Sequence, residues 1–453
     1  MRKRDIGNAV GVESLEVDDG RMTAIAERTR AVLAHWIDIA GSIEVYKDLH
    51  RHPELSGQEM RTAQRVAHLF AAAGSEVATG IGGTGVAGMI SNGEGPIVLV
   101  RADMDALPVD EKTGLSYASE ERAIAANGEQ VPVMHACGHD LHVACLVTTL
   151  EVLARSRYQW RGTLLAVAQP AEETAEGADA MLRDGLYDRF GKPDVALAQH
   201  VDGFRVGQVA HAPGLIASAA LNVDVRITGR GGHGSTPEVS VDPVVVAAFT
   251  VVRLQTIVSR EMGPTEPAVL TVGMLRAGSK ANVIPDEAHL ALNIRFQSEA
   301  TKEKILRSIT RIVRAECSAA GCPREPEIRT SAYFPATRND ELCEKVTRAV
   351  HEKLFGFDNV HDLPVSMGSE DFSMFGLPGD GRYVGDPVPY CYWTFGGHAP
   401  QTWDLAPGQT YLEKMGTLPG PHSSIFAPAP EDALRTGVTA LTGAVLAFLP
   451  PYG

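Results

Sequence analysis

No stretch of this sequence runs through roughly 18 uninterrupted apolar residues, so no membrane-spanning helix is expected. Cysteine is sparse. The six residues at 137, 145, 317, 322, 343 and 391 lack the dense spacing of a disulfide framework. That argues against a small stapled secreted fold and points to a reducing, cytoplasmic setting. The basic start Met1-Arg2-Lys3-Arg4 leads into no apolar segment of secretory length, which adds to the same expectation. Positive charge is in deficit: 41 Lys and Arg against 56 Asp and Glu leave a formal charge of −15. That argues against a nucleic-acid backbone or an anionic membrane surface as a main partner and does not identify a substrate.

What is present is the composition of an ordinary globular chain, 44% hydrophobic and 21% charged, in 453 residues, long enough for two domains. Helical spacing begins near Met22 and runs through Ile25, Val32, Leu33, Trp36 and Ile43 to Tyr46, and a second helix is predicted over 58–73. Three apolar runs, 96–103, 163–169 and 194–199, lack alternation and read as strands buried on both faces, with a helix over 140–155 between the first two. From about residue 218 the pattern changes to strict alternation at 221–228 and 288–296, the mark of antiparallel strands with one wet face. The order strand, helix, strand, strand, helix, strand across 221–331 is the ferredoxin-like arrangement. The expected fold is thus α/β, a mostly parallel-sheet catalytic domain over 22–217 and 333–453. An inserted ferredoxin-like α+β domain spans 218–332, and 1–21 forms an N-terminal extension.

Each buried strand runs directly into residues able to hold a metal: Asp103 and Asp105 after the first, Glu172 and Glu173 after the second, His200 after the third. In an open parallel sheet the crevice beyond the carboxyl ends of the strands is where ligands bind. The segment His135-Ala136-Cys137-Gly138-His139-Asp140-Leu141-His142 puts a thiol and an imidazole on one turn. Alone, Cys137 and His139 suit plain packing better; beside the acids at the other strand ends, a metal site is the better reading. Adjacent Glu172 and Glu173 point different ways in any regular conformation, so one carboxylate can bind metal while the other moves a proton, although an exposed acidic turn fits the same residues. His422, in Pro419-Gly420-Pro421-His422, is a surface residue or a ligand; spacing offers no choice. The loop Gly229-Arg230-Gly231-Gly232-His233-Gly234-Ser235 lacks the Gly-Lys-Ser/Thr ending of a phosphate cradle. Arg295 is a candidate partner for a substrate carboxylate or a surface arginine, and Tyr392-Trp393-Thr394-Phe395 an acyl pocket or core.

Eight motifs in order carry a resemblance. They are Leu49-His50-Arg51-His52-Pro53-Glu54-Leu55-Ser56, Arg101 to Pro108, His135 to Asp140, Gln169 to Glu173, Gly232 to Ser235, Asn282 to Pro285, Gly368 to Phe372 and Pro421 to Ser423. With them the chain resembles the M20 metallopeptidase family, specifically its aminoacylase/amidohydrolase subgroup, over about 49–434. The resemblance implies two divalent ions, with zinc favoured by the cysteine and manganese, cobalt or nickel as alternatives. It makes Cys137 the bridging ligand, His139, Glu173, His200 and His422 the other ligands, and Glu172 the general base. Asp105 would orient a ligand imidazole. From the insert, His233 would stabilise the tetrahedral oxyanion and Asn282 contact the substrate, with the insert serving as lid and as the contact of a homodimer or higher oligomer. The implied reaction is hydrolysis of the amide of an N-acyl amino acid. A dipeptidase, a deacylase for an unusual acyl group, or a binding protein that keeps the fold are the competing readings.

Overall fold

The computed structural model describes residues 17–36, 38–377 and 386–452, so residues 1–16 of the expected extension lie outside the described residues. Two compact units result: Met1–Ile216 with Arg338–Pro364 and Asp371–Gly453, and Ala217–Thr337 with Val365–Glu370. The expected insert, 218–332, ends five residues short of Thr337 and does not include the returning segment 365–370. That segment joins the smaller unit because Ser218 donates both its amide and its hydroxyl to the carbonyl of Ser366.

The larger unit opens with helices α1 (Asp19–Leu33), α2 (Ile39–Arg51) and α3 (Met60–Ala72). One continuous helical pattern to Tyr46 is expected, but the structure breaks it. Asp38 accepts from the Gly41 amide and starts α2 afresh. Strands β1 (Glu76–Ile81), β2 (Gly85–Asn92) and β3 (Ile97–Asp103) follow, then α4 (His139–Arg155), β4 (Gly162–Gln169), β5 (Val195–Arg205) and β6 (Val209–His211).

In the smaller unit the order is β7 (Ala219–Thr228), α5 (Pro243–Thr256), β8 (Ala268–Ala277), β9 (Glu287–Phe296), α6 (Glu299–Ala319) and β10 (Glu327–Phe334). The larger unit resumes with α7 (Glu341–Phe355), β11 (Val360–Asp362), β12 (Tyr390–His398) and α8 (Pro430–Phe448).

In the larger unit eight strands form one sheet in the order β1-β2-β4-β3-β5-β12-β6-β11. Its centre, β4-β3-β5-β12, is parallel. Both faces are covered, which is why the runs lack alternation. Val98 and Val100 of β3 pack under the long helices with Leu146, Leu150 and Val445, while Leu99 packs on the opposite face with Met181, Leu186 and Phe375. Burying each such side chain contributes about 1.5–3 kcal/mol. Trp393 and Phe395 of β12 lie in this core and Tyr392 in the core of the opposite face, so the aromatic cluster at 392–395 packs the sheet.

The smaller unit is a four-stranded antiparallel sheet, β8-β9-β7-β10, with strand β9 alternating between buried and half-buried residues along its whole length. Val246 and Leu254 of α5 and Ile305, Ile309 and Val313 of α6 fill its core against Val223, Leu290 and Leu292. The opposite face of α5 exposes Val245, Phe249 and Val252. The helical stretch Pro243–Glu261 is thereby long and apolar enough, by length and composition only, to cross a membrane. Thr250, Arg253, Gln255 and Thr256 interrupt its apolar run, so it is not an uninterrupted apolar stretch of the kind the sequence was searched for.

Candidate metal centre

The centre lies wholly in the larger unit, where β3 and β4 end side by side and α4 begins. β3 delivers Asp103 and, two residues on, Asp105. The turn after β4 delivers Glu172 and Glu173, and the first turn of α4 delivers His139 behind Cys137. His200 differs from expectation. It sits inside β5 and not at its end, because Val201, Asp202 and Arg205 continue to pair with Phe395, Gly396 and His398 of β12. A partner strand nearly 200 residues away in sequence sets that length, and no local pattern reports it.

Backbone conformation aims these groups. Gly138 adopts φ +80°, and a Cβ there would meet Cγ1 of Val201 at 2.4 Å, so only glycine fits between the two ligands. Ala171 (φ 49°) and Ala175 (φ 60°) bend the turn after β4 out of any regular form. Adjacent Glu172 and Glu173 consequently do not diverge as regular geometry would have them. Ligand atoms of both lie within 4.8 Å of each other and of His139. His422 takes φ 70°, and its amide donates to the carbonyl of Ala136 at 2.8 Å, fastening its loop beside Cys137.

Two donor sets share the thiol: Cys137 with His139 and His200, and Cys137 with Glu173 and His422. Sγ of Cys137 is 3.3 Å from Nε2 of His200 and 3.2 Å from Nε2 of His422. His422 Nε2 is 3.4 Å from Glu173 Oε1, and His139 Nε2 is 4.0 Å from the same oxygen. The hydrogen bonds fix which nitrogens are bare. His139 donates Nδ1–H to the carbonyl oxygen of Asp105 (2.9 Å) and to its Oδ1 (3.2 Å), leaving Nε2 buried without a hydrogen-bond partner, as is Oε1 of Glu173. His200 donates Nδ1–H to the carbonyl of Val201 at 2.6 Å and turns Nε2 toward the thiol. Asp105 also accepts from the Glu173 amide (3.0 Å) and from Ser56 Oγ (2.7 Å), so one carboxylate orients two ligands.

The field of the site calls for cations. Burial disfavours a charged His139, but Asp103, Asp105 and Glu173 outweigh it and push its pKa up to about 10. Burial, with Glu173, Glu172 and Asp103, holds the Cys137 thiol well above its ordinary range. It is therefore no nucleophile by itself, and a bound cation would supply what the thiolate needs. Orphaned, buried nitrogen and oxygen atoms around a shared sulfur fit a pair of divalent ions with some affinity for soft ligands.

Three contributors have supporting roles that the sequence did not assign, although Asp103 stood among the metal-competent residues at the strand ends. Asp103 is buried against Arg101 (2.6 Å) and His142 (2.6 Å). Burial would raise its pKa, yet Arg101, His139 and His142 hold it well below the carboxylate range. The second is His142, three residues after His139 on α4, a spacing that puts both on one helix face and was the available signal. The third, Glu59, accepts from the amides of Ala171 (2.9 Å) and Gly57 (2.8 Å) and from Thr84 Oγ1 (2.6 Å), bracing the turn that carries Glu172. Nothing in its sequence neighbourhood signals burial.

The remaining candidates belong to the smaller unit. His233 pairs with Val283, and the Gly234 amide donates to the carbonyl of Asn282 at 2.9 Å, so His233 and Asn282 share one loop pair. Arg295 is half-buried and donates through Nη1 to the carbonyl of Met367 (2.7 Å), just before the motif 368–372, and to Ser369 Oγ (3.3 Å) within it.

The sequence profile of peptidase family M20/M25/M40 matches residues 99–401. The chain is 34% identical over 344 residues to the hippurate hydrolase of Campylobacter jejuni, covering 75% of this chain and 86% of that one. It is 32% identical over 347 residues to the N-acetylcysteine deacetylase of Bacillus subtilis, covering 74% and 84%. In fold it is similar to the Bacillus subtilis YXEP protein, described as a dinuclear metal-binding peptidase from family M20. The TM-score is 0.68 at 24% identity, over 90% of this chain and 97% of that one.

Proposed function

This chain belongs to peptidase family M20/M25/M40, and on that premise we propose that it is a metal-dependent amidohydrolase for N-acyl amino acids. The substrate class is supported by the names of the two curated relatives, a hippurate hydrolase and an N-acetylcysteine deacetylase. One observation carries the chemistry: a buried thiol shared by two donor sets, with bare Nε2 and Oε1 atoms aimed between them. Cys137, His139, Glu173, His200 and His422 would hold two divalent ions, zinc fitting the sulfur best, with manganese, cobalt or nickel compatible with the nitrogen and oxygen donors. Such ions supply Lewis-acid polarisation of the amide carbonyl and a more acidic water.

The chain's own residues do the rest. Glu172, buried beside His139, takes the proton of the attacking water and returns it to the leaving amine. Asp105 keeps His139 and Glu173 aimed. His233 and Asn282 have the oxyanion and substrate roles that the resemblance implies, and Arg295 is the candidate for the substrate carboxylate. We further propose a homodimer joined through the apolar face of α5, supported by exposed Phe249 and Val252. A reducing cytoplasmic setting is supported by the six free thiols.

The test is a panel of N-acetyl, N-benzoyl and long-chain N-acyl amino acids together with dipeptides. Cleavage of acylated amino acids over dipeptides is expected; activity confined to dipeptides would move the enzyme to the peptidase reading.

A further inference from the structure

We infer that His142 is a positioning residue that sets the aim of the metal ligand His200, acting as a neutral strut rather than as a ligand. Its ring is buried at 2% exposure and held at both ends. The amide of Val201 donates to Nε2 at 2.8 Å. A backbone N–H can only donate, so Nε2 carries no proton. Nδ1 therefore bears the hydrogen and donates it to Asp103 Oδ1 at 2.6 Å. Both nitrogens are used, and none is left for a cation. His139, one helical turn earlier, differs: its Nε2 is bare.

The strut links three elements. Asp103 closes β3 and is fixed by Arg101, whose Nε also donates to Gln169 Oε1 at the end of β4 (2.7 Å). His142 stands on α4, and Val201 follows His200 on β5. Val201 is held on both sides, its amide by His142 and its carbonyl by Nδ1 of His200. The rings of His142 and His200 meet edge to face with centroids 4.5 Å apart. The residue whose carbonyl orients His200 is thus itself held, through its amide, by His142. Loosening that end should disturb the donor set containing His200 and leave the set of Cys137, Glu173 and His422 less affected.

The inference rests on the two-ion reading. Its test uses full-length metal-stripped protein titrated with Zn2+ and, for the visible spectrum, with Co2+, comparing wild type, His142→Phe and His142→Gln. Phenylalanine keeps the flat ring and removes both ends; glutamine can donate to Asp103 and accept from Val201. One of two ions is expected to bind His142→Phe about 10–100-fold more weakly, the usual effect of removing a partner behind a ligand. The Co2+ spectrum should shift, kcat fall while KM holds, and His142→Gln be less impaired than His142→Phe. Unchanged affinities, equal weakening of both ions, total loss of one ion at saturating metal, or a glutamine variant as impaired as phenylalanine would each overturn the strut. If His142→Phe does not fold, His142→Gln is judged alone: weakening confined to one ion supports the strut, and unchanged or equal weakening rejects it. Wild type that binds no metal would instead sink the two-ion reading.

Discussion

Single residues in this chain hold positions that chemistry elsewhere depends on. Gly138 is the clearest. Any side chain there meets Val201 and forces a left-handed backbone on a residue with a Cβ, a strain of about 1–2 kcal/mol before the clash is counted. Gly138→Ala is expected to separate Cys137 from His139 and to lower metal content below that of wild type, measured by elemental analysis of the purified proteins. His50 works through charge. Burial opposes its protonation, but Asp140 (2.7 Å) and Glu111 (3.1 Å) win and raise its pKa to about 9. A raised folded pKa stabilises fully below the unfolded value near 6.5 and is lost as pH climbs through about 9. The melting-temperature gap between wild type and His50→Gln should therefore be widest near pH 6 and narrow toward pH 9. A constant gap across that range would contradict the buried ion pair.

Elements were legible where one local rule decided them. β3 and β4 announced themselves because a strand buried on both faces has no wet side to alternate with, and β9 because it has one. β5 was read short because its last six residues owe their extended form to β12, which the chain reaches only at Tyr390. The turn at 171–175 was read as divergent because positive φ at two alanines is invisible in composition. α5 was read correctly as a helix, but its second apolar face was passed over. Phe249 is 62% exposed and Val252 69%, a cost in water that the partner surface of the proposed homodimer would remove. Phe249→Glu is expected to shift the protein from dimer to monomer in sedimentation velocity while leaving the smaller unit folded by circular dichroism. An unshifted dimer would place the contact elsewhere.

At the scale of the whole molecule, the candidate centre draws on segments spread from Ser56 to His422; Asp103, Asp105, Glu172 and Glu173 stood out because they follow buried strands, whereas His422 entered as a ligand only through the resemblance. What sequence reading did not assign is the supporting layer behind them, in which Asp103 had stood out only as able to hold a metal. Asp103, His142, Glu59 and Arg101 are ordinary polar residues until the fold buries them within hydrogen-bond reach of one another. Burial of that kind follows from the order of strands in the sheet, which no single segment encodes. The placement of Glu172 and Glu173 likewise depends on the turn with positive φ at Ala171 and Ala175 and not on the letters.

The most direct measurement is metal content and amide hydrolysis on the same preparations of wild type and Glu172→Gln. Wild type should carry two divalent ions per chain and cleave an N-acyl amino acid. Glu172→Gln should keep both ions and lose activity by about 10²–10⁴-fold, the contribution of a general base. Wild type without bound metal, or a Glu172→Gln enzyme that retains both its ions and its rate, would contradict the assignment of the centre.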